Sequence, residues 1–360
     1  MAALVLLGSE AGAGRCALAH TVAGSRGSDA SALSSHGDLP VEGVMPSLDG
    51  AVDWLNSPPL DTRDLRGKVV LVDFWAYSCI NCIRTEPYIR AWAEKYRNQG
   101  LVVIGVHTPE FRFETNIANI RRAADRFGMS YPIAVDSNRA IWNAFGNQYW
   151  PALYFVDAQG RIRHHQFGEG EYDTSERVIQ RLLTEAAGEG MAAAGLVAPH
   201  AQGAEAAPDM AEIRSEETYL GYERARGFAS PQSIRPDASK SYTFGDLALN
   251  RWSLQGAWTV GAEHATLDAP GGAITYRFRA RDLHLVLGCV AGGKPVRFQV
   301  LVDGAPPGAD HGSDIDGTGE GIVTDTRLYQ LVRQSGPVRE RTFEIRFPDP
   351  GIAAYSFTFG

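Results

Sequence analysis

Cysteine is scarce in this chain: four in 360 residues, at positions 16, 79, 82 and 289. That excludes a disulfide-stapled scaffold, which needs densely paired cysteines. Excess positive charge is absent too. Asp and Glu number 42 against 34 Lys and Arg, a formal net charge of −8, so nothing suggests a general basic face or a nucleic-acid partner. No run approaches the roughly 20 apolar residues of a membrane helix. Ala2 to Leu7 is apolar, but no Lys or Arg precedes it and Gly8-Ser9-Glu10 ends it. Ala17-Leu18-Ala19 has the small residues of a cleavage site, yet without a basic start the segment reads as a disordered tail rather than a secretion leader. Cys16 follows Arg15, which is no lipid-attachment signal, and reads as a bystander thiol.

What the chain does have is a pair. Cys79 and Cys82 close the string Leu71-Val-Asp-Phe-Trp-Ala-Tyr-Ser-Cys-Ile-Asn-Cys82. An apolar strand runs straight into a Cys-x-x-Cys turn, and a helix is predicted from there to about Arg97. A sulfur at a helix start feels the positive end of the macrodipole and unpaired N–H groups, which favour thiolate. Thiolate is the form that attacks disulfides. A structural zinc would need four ligands, and the remaining cysteines are isolated. An inert structural disulfide is the other bland alternative. The pair reads as a redox dithiol, with no metal and no cofactor.

Composition divides the chain. Residues 1–45 are Gly, Ser and Ala-rich, a flexible lead. From 46 to 187 strands and helices alternate. Strands are predicted at Val69–Phe74, Leu101–Val106, Tyr131–Val135, Ala152–Val156 and Ile162–Phe167. Helices are predicted after Cys82 (kinked at Pro87), at 114–127 and 138–145, and from Thr174, a plausible N-cap, to Ala187. This is an α/β layer pattern. Residues 188–212 have the Ala/Gly/Pro composition of a linker. Beyond 213 the period becomes two, as in Leu283/Leu285/Leu287 and Phe343/Ile345/Phe347. Many short strands without helices predict a β-sandwich of jelly-roll type.

Residues 66–185 resemble the thioredoxin superfamily in its TlpA-like branch. Asp73 and Trp75 precede Cys79 by six and four residues, Pro87 follows it by eight, and Trp150-Pro151 stands just before a strand. The interval from Cys79 to Pro151 is 72 residues, which implies a thioredoxin-like fold with an inserted strand–helix. The dipeptide Ile80-Asn81 and Ser78 depart from the usual thioredoxin pattern. Tyr77–Thr85, Gly105–Phe111, Tyr149–Ala152, Glu217–Tyr222, Arg281–Leu287 and Arg327–Leu331 together resemble the soluble part of DipZ-type proteins of cytochrome c biogenesis. Those join a CcdA-like membrane electron carrier to a TlpA-like domain and a carbohydrate-binding-module-like β domain.

The resemblance implies a protein-disulfide oxidoreductase of the cell envelope acting as a reductase, with a CcdA-type electron donor and protein disulfides as substrates. Cys79 attacks, Cys82 resolves and Asp73 carries the resolving proton. Trp75, Trp150, Pro151 (if cis) and Glu110 border the substrate groove. Two alternatives stand beside it. A thiol peroxidase of the AhpC/TSA type would carry Pro and Thr or Ser seven and three residues before its cysteine, where this chain has Val72 and Ala76. A glycan-binding protein with a secondary redox domain would use Trp252, Trp258, Tyr276 and Tyr329 as a stacking platform, although these rings suit a core equally. The acidic stretch Asp310–Asp325 lacks the staggered series of a calcium loop, and Cys289 suits core packing.

Overall fold

The computed structural model describes residues 38–188, 195–290 and 293–360. The early tail with Cys16 lies outside them. Paired structure is present ahead of the compositional boundary at 45. The Leu39 and Pro40 carbonyls accept from Arg163, and a short strand β1 (Gly43–Val44) pairs with residues 161 and 162.

The first unit continues with β2 (Asp53–Leu55), β3 (Val69–Trp75), α1 (Ile80–Tyr96), β4 (Leu101–His107), α2 (Ile117–Arg126), β5 (Ile133–Val135), α3 (Ala140–Ala144), β6 (Ala152–Val156), β7 (Arg161–Phe167) and α4 (Tyr172–Ala187). Its sheet runs β1-β7-β6-β3-β4-β5-β2. β3, β4 and β5 are parallel, and β6 and β7 return antiparallel. β3 is central and buried at all seven positions. Leu71 packs with α1, α2 and α4, while Val70, Val72 and Phe74 pack with α3 and the segment near Leu48 and Leu65. Both faces are covered, which is why the run lacks polar alternation. The pair β5 and α3 is the insertion predicted from the spacing.

The helix starts each shift by two or three residues from the sequence reading, to Ile80, Ile117, Ala140 and Tyr172, and two of them show why. α2 begins at Ile117 because the Asn116 side chain accepts from the amides of Ala118 and Asn119, and residues 112–115 form a 3₁₀ turn before it. α4 begins at Tyr172, with Glu171 in the left-handed region before it. Thr174 is therefore the third helical residue and not the N-cap.

The second unit comprises β8 (Thr218–Tyr219), β9 (Lys240–Tyr242), β10 (Trp252–Val260), β11 (Ala265–Leu267), β12 (Gly272–Phe278), β13 (Asp282–Cys289), β14 (Val296–Val302), β15 (Glu320–Val323), β16 (Arg327–Arg333), β17 (Arg341–Phe347) and β18 (Ile352–Phe359). One face of the sandwich is β15-β14-β17-β12 and the other is β11-β18-β13-β16. β10 belongs to both: residues 252–255 pair with β12, and residues 258–260 with β11. Gly256 is the corner between them, with φ +98°, and a Cβ there would stand 3.0 Å from the Gly272 Cα. Strands that change sheets need such a bend. Trp252, Trp258, Tyr276 and Tyr329 all lie in the core between the layers. The stacking platform is thus corrected: these rings face inward and none is available to a sugar.

The two units meet over the start of α1. Ile80, Ile83 and Phe111 pack against Val286, Leu328, Ala353 and Tyr355 of the β domain. The buried Arg84 side chain donates to the Phe359 carbonyl and pairs with Glu169. The chain between the units lies along this seam. Glu205 pairs with Arg90, Arg333 donates to the Gly203 carbonyl, and Val197 donates its amide to Glu176.

Candidate active site

β3 delivers the chain to the mouth of the site. Its last residue, Trp75, is followed by the turn Ala76-Tyr77-Ser78, and Cys79 then caps α1. The Cys79 backbone is extended (φ −78°, ψ 114°), as an N-cap requires. Its Sγ accepts from the Cys82 amide at 3.3 Å, and the Cys82 thiol points at it from 2.7 Å. Both cysteines are free; Cys79 is partly exposed and Cys82 buried.

The thiolate expectation needs correction. Burial pushes the Cys79 thiol above its ordinary value, against the downward pull of the hydrogen bonds from Cys82. The negative charges of Glu110 and Glu217 add to the rise. Burial holds Cys82 well above the usual thiol range, and Asp73 contributes.

Asp73 is buried in the central strand between Gly105 and Leu153. Neither of its carboxyl oxygens has a hydrogen-bond partner among the described residues, and the acid whose charge reaches it is one that sequence reading missed: Glu86, on α1 one turn after Cys82. Burial and the neighbouring Glu86 carboxyl raise Asp73 well above the usual range. Glu86 is pushed up to about 7 by burial, with the Tyr131 hydroxyl, which donates to it at 2.7 Å, opposing the rise. Two adjacent buried carboxyls cannot both ionise cheaply, so ionisation of one opposes ionisation of the other. One signal was available: Glu86 lies between Ile83 and Ile89 on the buried face of the helix.

A second missed acid is Glu114. It is buried, and it accepts from the Ser78 amide and hydroxyl and from the amides of Glu110 and Phe111. Burial pushes it up to about 7. It ties the 110–114 turn to the residue preceding Cys79.

The remaining expected groove residues separate. Trp150 is half-buried, its indole N–H donates to the Thr108 carbonyl, and the Trp150–Pro151 bond is cis. Glu110 accepts from Tyr219 at 2.7 Å and from Arg224 at 2.8 Å, both in the β domain. Trp150 and Glu110 line a cleft of about 1150 Å³ between the units. Trp75 does not. It is buried in the core with its ring edge-on to His107, so its groove assignment is corrected.

Comparison with known proteins bears on the same two units. Residues 52–165 match the AhpC/TSA family, and residues 215–360 match the family described as thioredoxin like C-terminal domain. Protein DipZ of Mycobacterium bovis (strain ATCC BAA-935 / AF2122/97) and of Mycobacterium tuberculosis (strain CDC 1551 / Oshkosh) are each 36% identical over 329 residues, 88% of this chain. The chain spans 43% of the length of those relatives. The thiol-disulfide oxidoreductase YkuV of Bacillus subtilis (strain 168) is 34% identical over 141 residues, covering 39% of this chain and 95% of that protein. The solution structure of a thioredoxin-like protein in its oxidized form is 33% identical, covering 40% of this chain and 96% of the other, with a TM-score of 0.37.

Proposed function

The chain belongs to the thioredoxin-like thiol–disulfide oxidoreductases, and on that premise we propose that it reduces protein disulfides through Cys79 and Cys82. The observation that carries this reading is the pair itself: two free thiols 2.7 Å apart, one capping α1 and partly exposed, the other buried behind it. The Cys79 thiolate attacks a client disulfide, forming a mixed disulfide and expelling one client thiolate. The Cys82 thiolate then attacks the Cys79 sulfur, releasing the second client thiolate and leaving Cys79–Cys82 oxidised. Two electrons pass to the client. The Cys82 proton moves toward the Asp73–Glu86 carboxyls, and Pro151 and Trp150 border the client.

The setting that fits is the cell envelope, in cytochrome c biogenesis, with a CcdA-type membrane donor returning the electrons. The likeness to DipZ proteins supports it. The peroxidase alternative draws on the AhpC/TSA match, but buried Val72 and Ala76 stand where a thiol peroxidase carries Pro and Thr or Ser. A glycan reading of the β domain now rests on another face. Gln255, Arg346, Gln299 and Glu320, with Ala273 between the first two, stand in one row across five strands and line a hollow of about 1290 Å³.

The test is Cys82→Ser. It should accumulate client mixed disulfides through Cys79 on non-reducing gels. An accessible Cys79 that traps no client would count against the reading. The equilibrium potential of the pair checks direction: a strongly negative value supports reduction, and a mild one points to oxidation or isomerisation.

A further inference from the structure

The inserted pair β5 and α3 bears on the strand end that leads to the cysteines. Ala152 pairs with Phe74 in β3, so Trp150 and Pro151 precede it at the same end of the sheet as Trp75 and the Cys79 turn. Trp150 is half-buried, and Arg139, the residue before α3, lies against it. The Arg139 guanidinium is 5.1 Å from the centre of the Trp150 ring and 5.5 Å from that of Trp142 on α3. The two rings are themselves 4.1 Å apart. Arg139 also donates to the Pro109 carbonyl at 2.6 Å, next to the Thr108 carbonyl that takes the Trp150 N–H at 3.1 Å. The Thr108 amide in turn donates to the Trp75 carbonyl at 3.0 Å. One guanidinium thus ties α3, the 108–110 turn and Trp150 together. The Arg139 backbone is left-handed, at φ +58°, a region that long side chains rarely adopt. Such a conformation persists where the surrounding contacts over-determine it.

We propose that Arg139 is a positioning residue for the exchange reaction: it fixes the Trp150 indole, and with it the face of the Trp150–Pro151 segment along which an extended client chain brings its disulfide to Cys79. This deepens the redox reading above and rests on it. A cation seated over an indole face is held by the charge distribution of the ring. A wall fixed in advance lowers the ordering cost of the encounter and aligns the reacting atoms. A small disulfide that does not lie along the segment gains nothing from that wall.

The test compares two oxidants of the reduced full chain: a short peptide with an internal disulfide, and bis(2-hydroxyethyl) disulfide as the small probe. Arg139→Asn removes the guanidinium and leaves a residue that tolerates the left-handed backbone. The rate constant with the peptide should fall about five- to tenfold, while that with the small probe stays within about twofold. The equilibrium potential of the Cys79–Cys82 pair should not move. Arg139→Lys, which keeps a cation for the rings, should lose less than Arg139→Asn. An unchanged peptide rate in Arg139→Asn, an equal loss with both oxidants, a shifted potential, or a lysine variant no faster than the asparagine one would each overturn the proposal. Failure of the unmodified chain with both oxidants would instead remove the redox reading and the proposal with it.

Discussion

Glu114 reaches beneath the active-site turn and takes both the amide (3.1 Å) and the hydroxyl (2.8 Å) of Ser78, the residue preceding Cys79. Its second oxygen holds the amides of Glu110 and Phe111. One buried side chain thus fixes the cysteine turn and the turn carrying Glu110. Glu114→Ala should cost about 2–3 kcal/mol, because several buried donors lose their acceptor. Urea denaturation of the reduced chain checks it. A loss below about 0.5 kcal/mol, the range of surface changes, would mean that water replaces the carboxylate.

The raised carboxyls set the sign of the pH dependence. Glu86 and Glu114 move from 4.5 to about 7 on folding. A group with a raised folded value stabilises fully below its unfolded value, and the contribution fades as pH rises through the folded one. These two acids should therefore make the reduced chain more stable near pH 5 than near pH 8, each by at most roughly 3 kcal/mol. Glu86→Gln should flatten the slope. A urea midpoint that rises from pH 5 to pH 8 would contradict the assignment.

Tyr131 donates a single hydrogen bond into the Asp73–Glu86 pair. Tyr131→Phe keeps the ring and removes that donor, which at a charged acceptor is worth about 1.5–3 kcal/mol. The pH limb of turnover governed by the carboxyl pair should move upward by roughly one unit or more. Asp73→Asn should slow turnover while the fold survives. A pH profile for Tyr131→Phe that superimposes on the original would detach Tyr131 from the chemistry.

Ile83 joins the two domains. Ile83→Ala removes a buried aliphatic group from the seam and should cost about 2–4 kcal/mol. It should also speed alkylation of Cys79 by a bulky maleimide, since the β domain is held less firmly. Thermal melts and mass spectrometry give the two readouts. Unchanged alkylation alongside lower stability would show that the domains do not part there.

Gly256 turns β10 between the layers. Gly256→Ala places a Cβ at φ +98° and against the Gly272 Cα. It should cost more than about 1 kcal/mol, seen as a lower midpoint for the whole chain. A neutral result would mean that the corner can shift.

Much of this architecture was readable in the text of the chain. β3 and β4 are apolar runs because helices cover both sheet faces, and such runs stand out. Cys79, Cys82 and Asp73 were visible because their spacing is rigid. Glu86 and Glu114 were not, since an acid in a helix or turn ordinarily faces water and only distant residues bury these two. The domain seam was missed as well, though a clue was present. β18 is buried at all eight positions and β13 at seven of eight, which a sandwich with a wet outer face does not require. The outer face of these strands packs on α1, and the alternation expected there is lost for that reason.

Ile80 follows Cys79 in the chain, within the Cys-x-x-Cys turn, and is also a foot on which the β domain stands. Any shift that oxidation imposes on the Cys79–Cys82 turn is therefore felt by the docked sandwich. By reciprocity, whatever loosens or tightens that docking alters the ease with which the sulfurs give up electrons. Exchanging Ile80 to retune the couple, as one would in a free-standing redox module, would here change two equilibria at once.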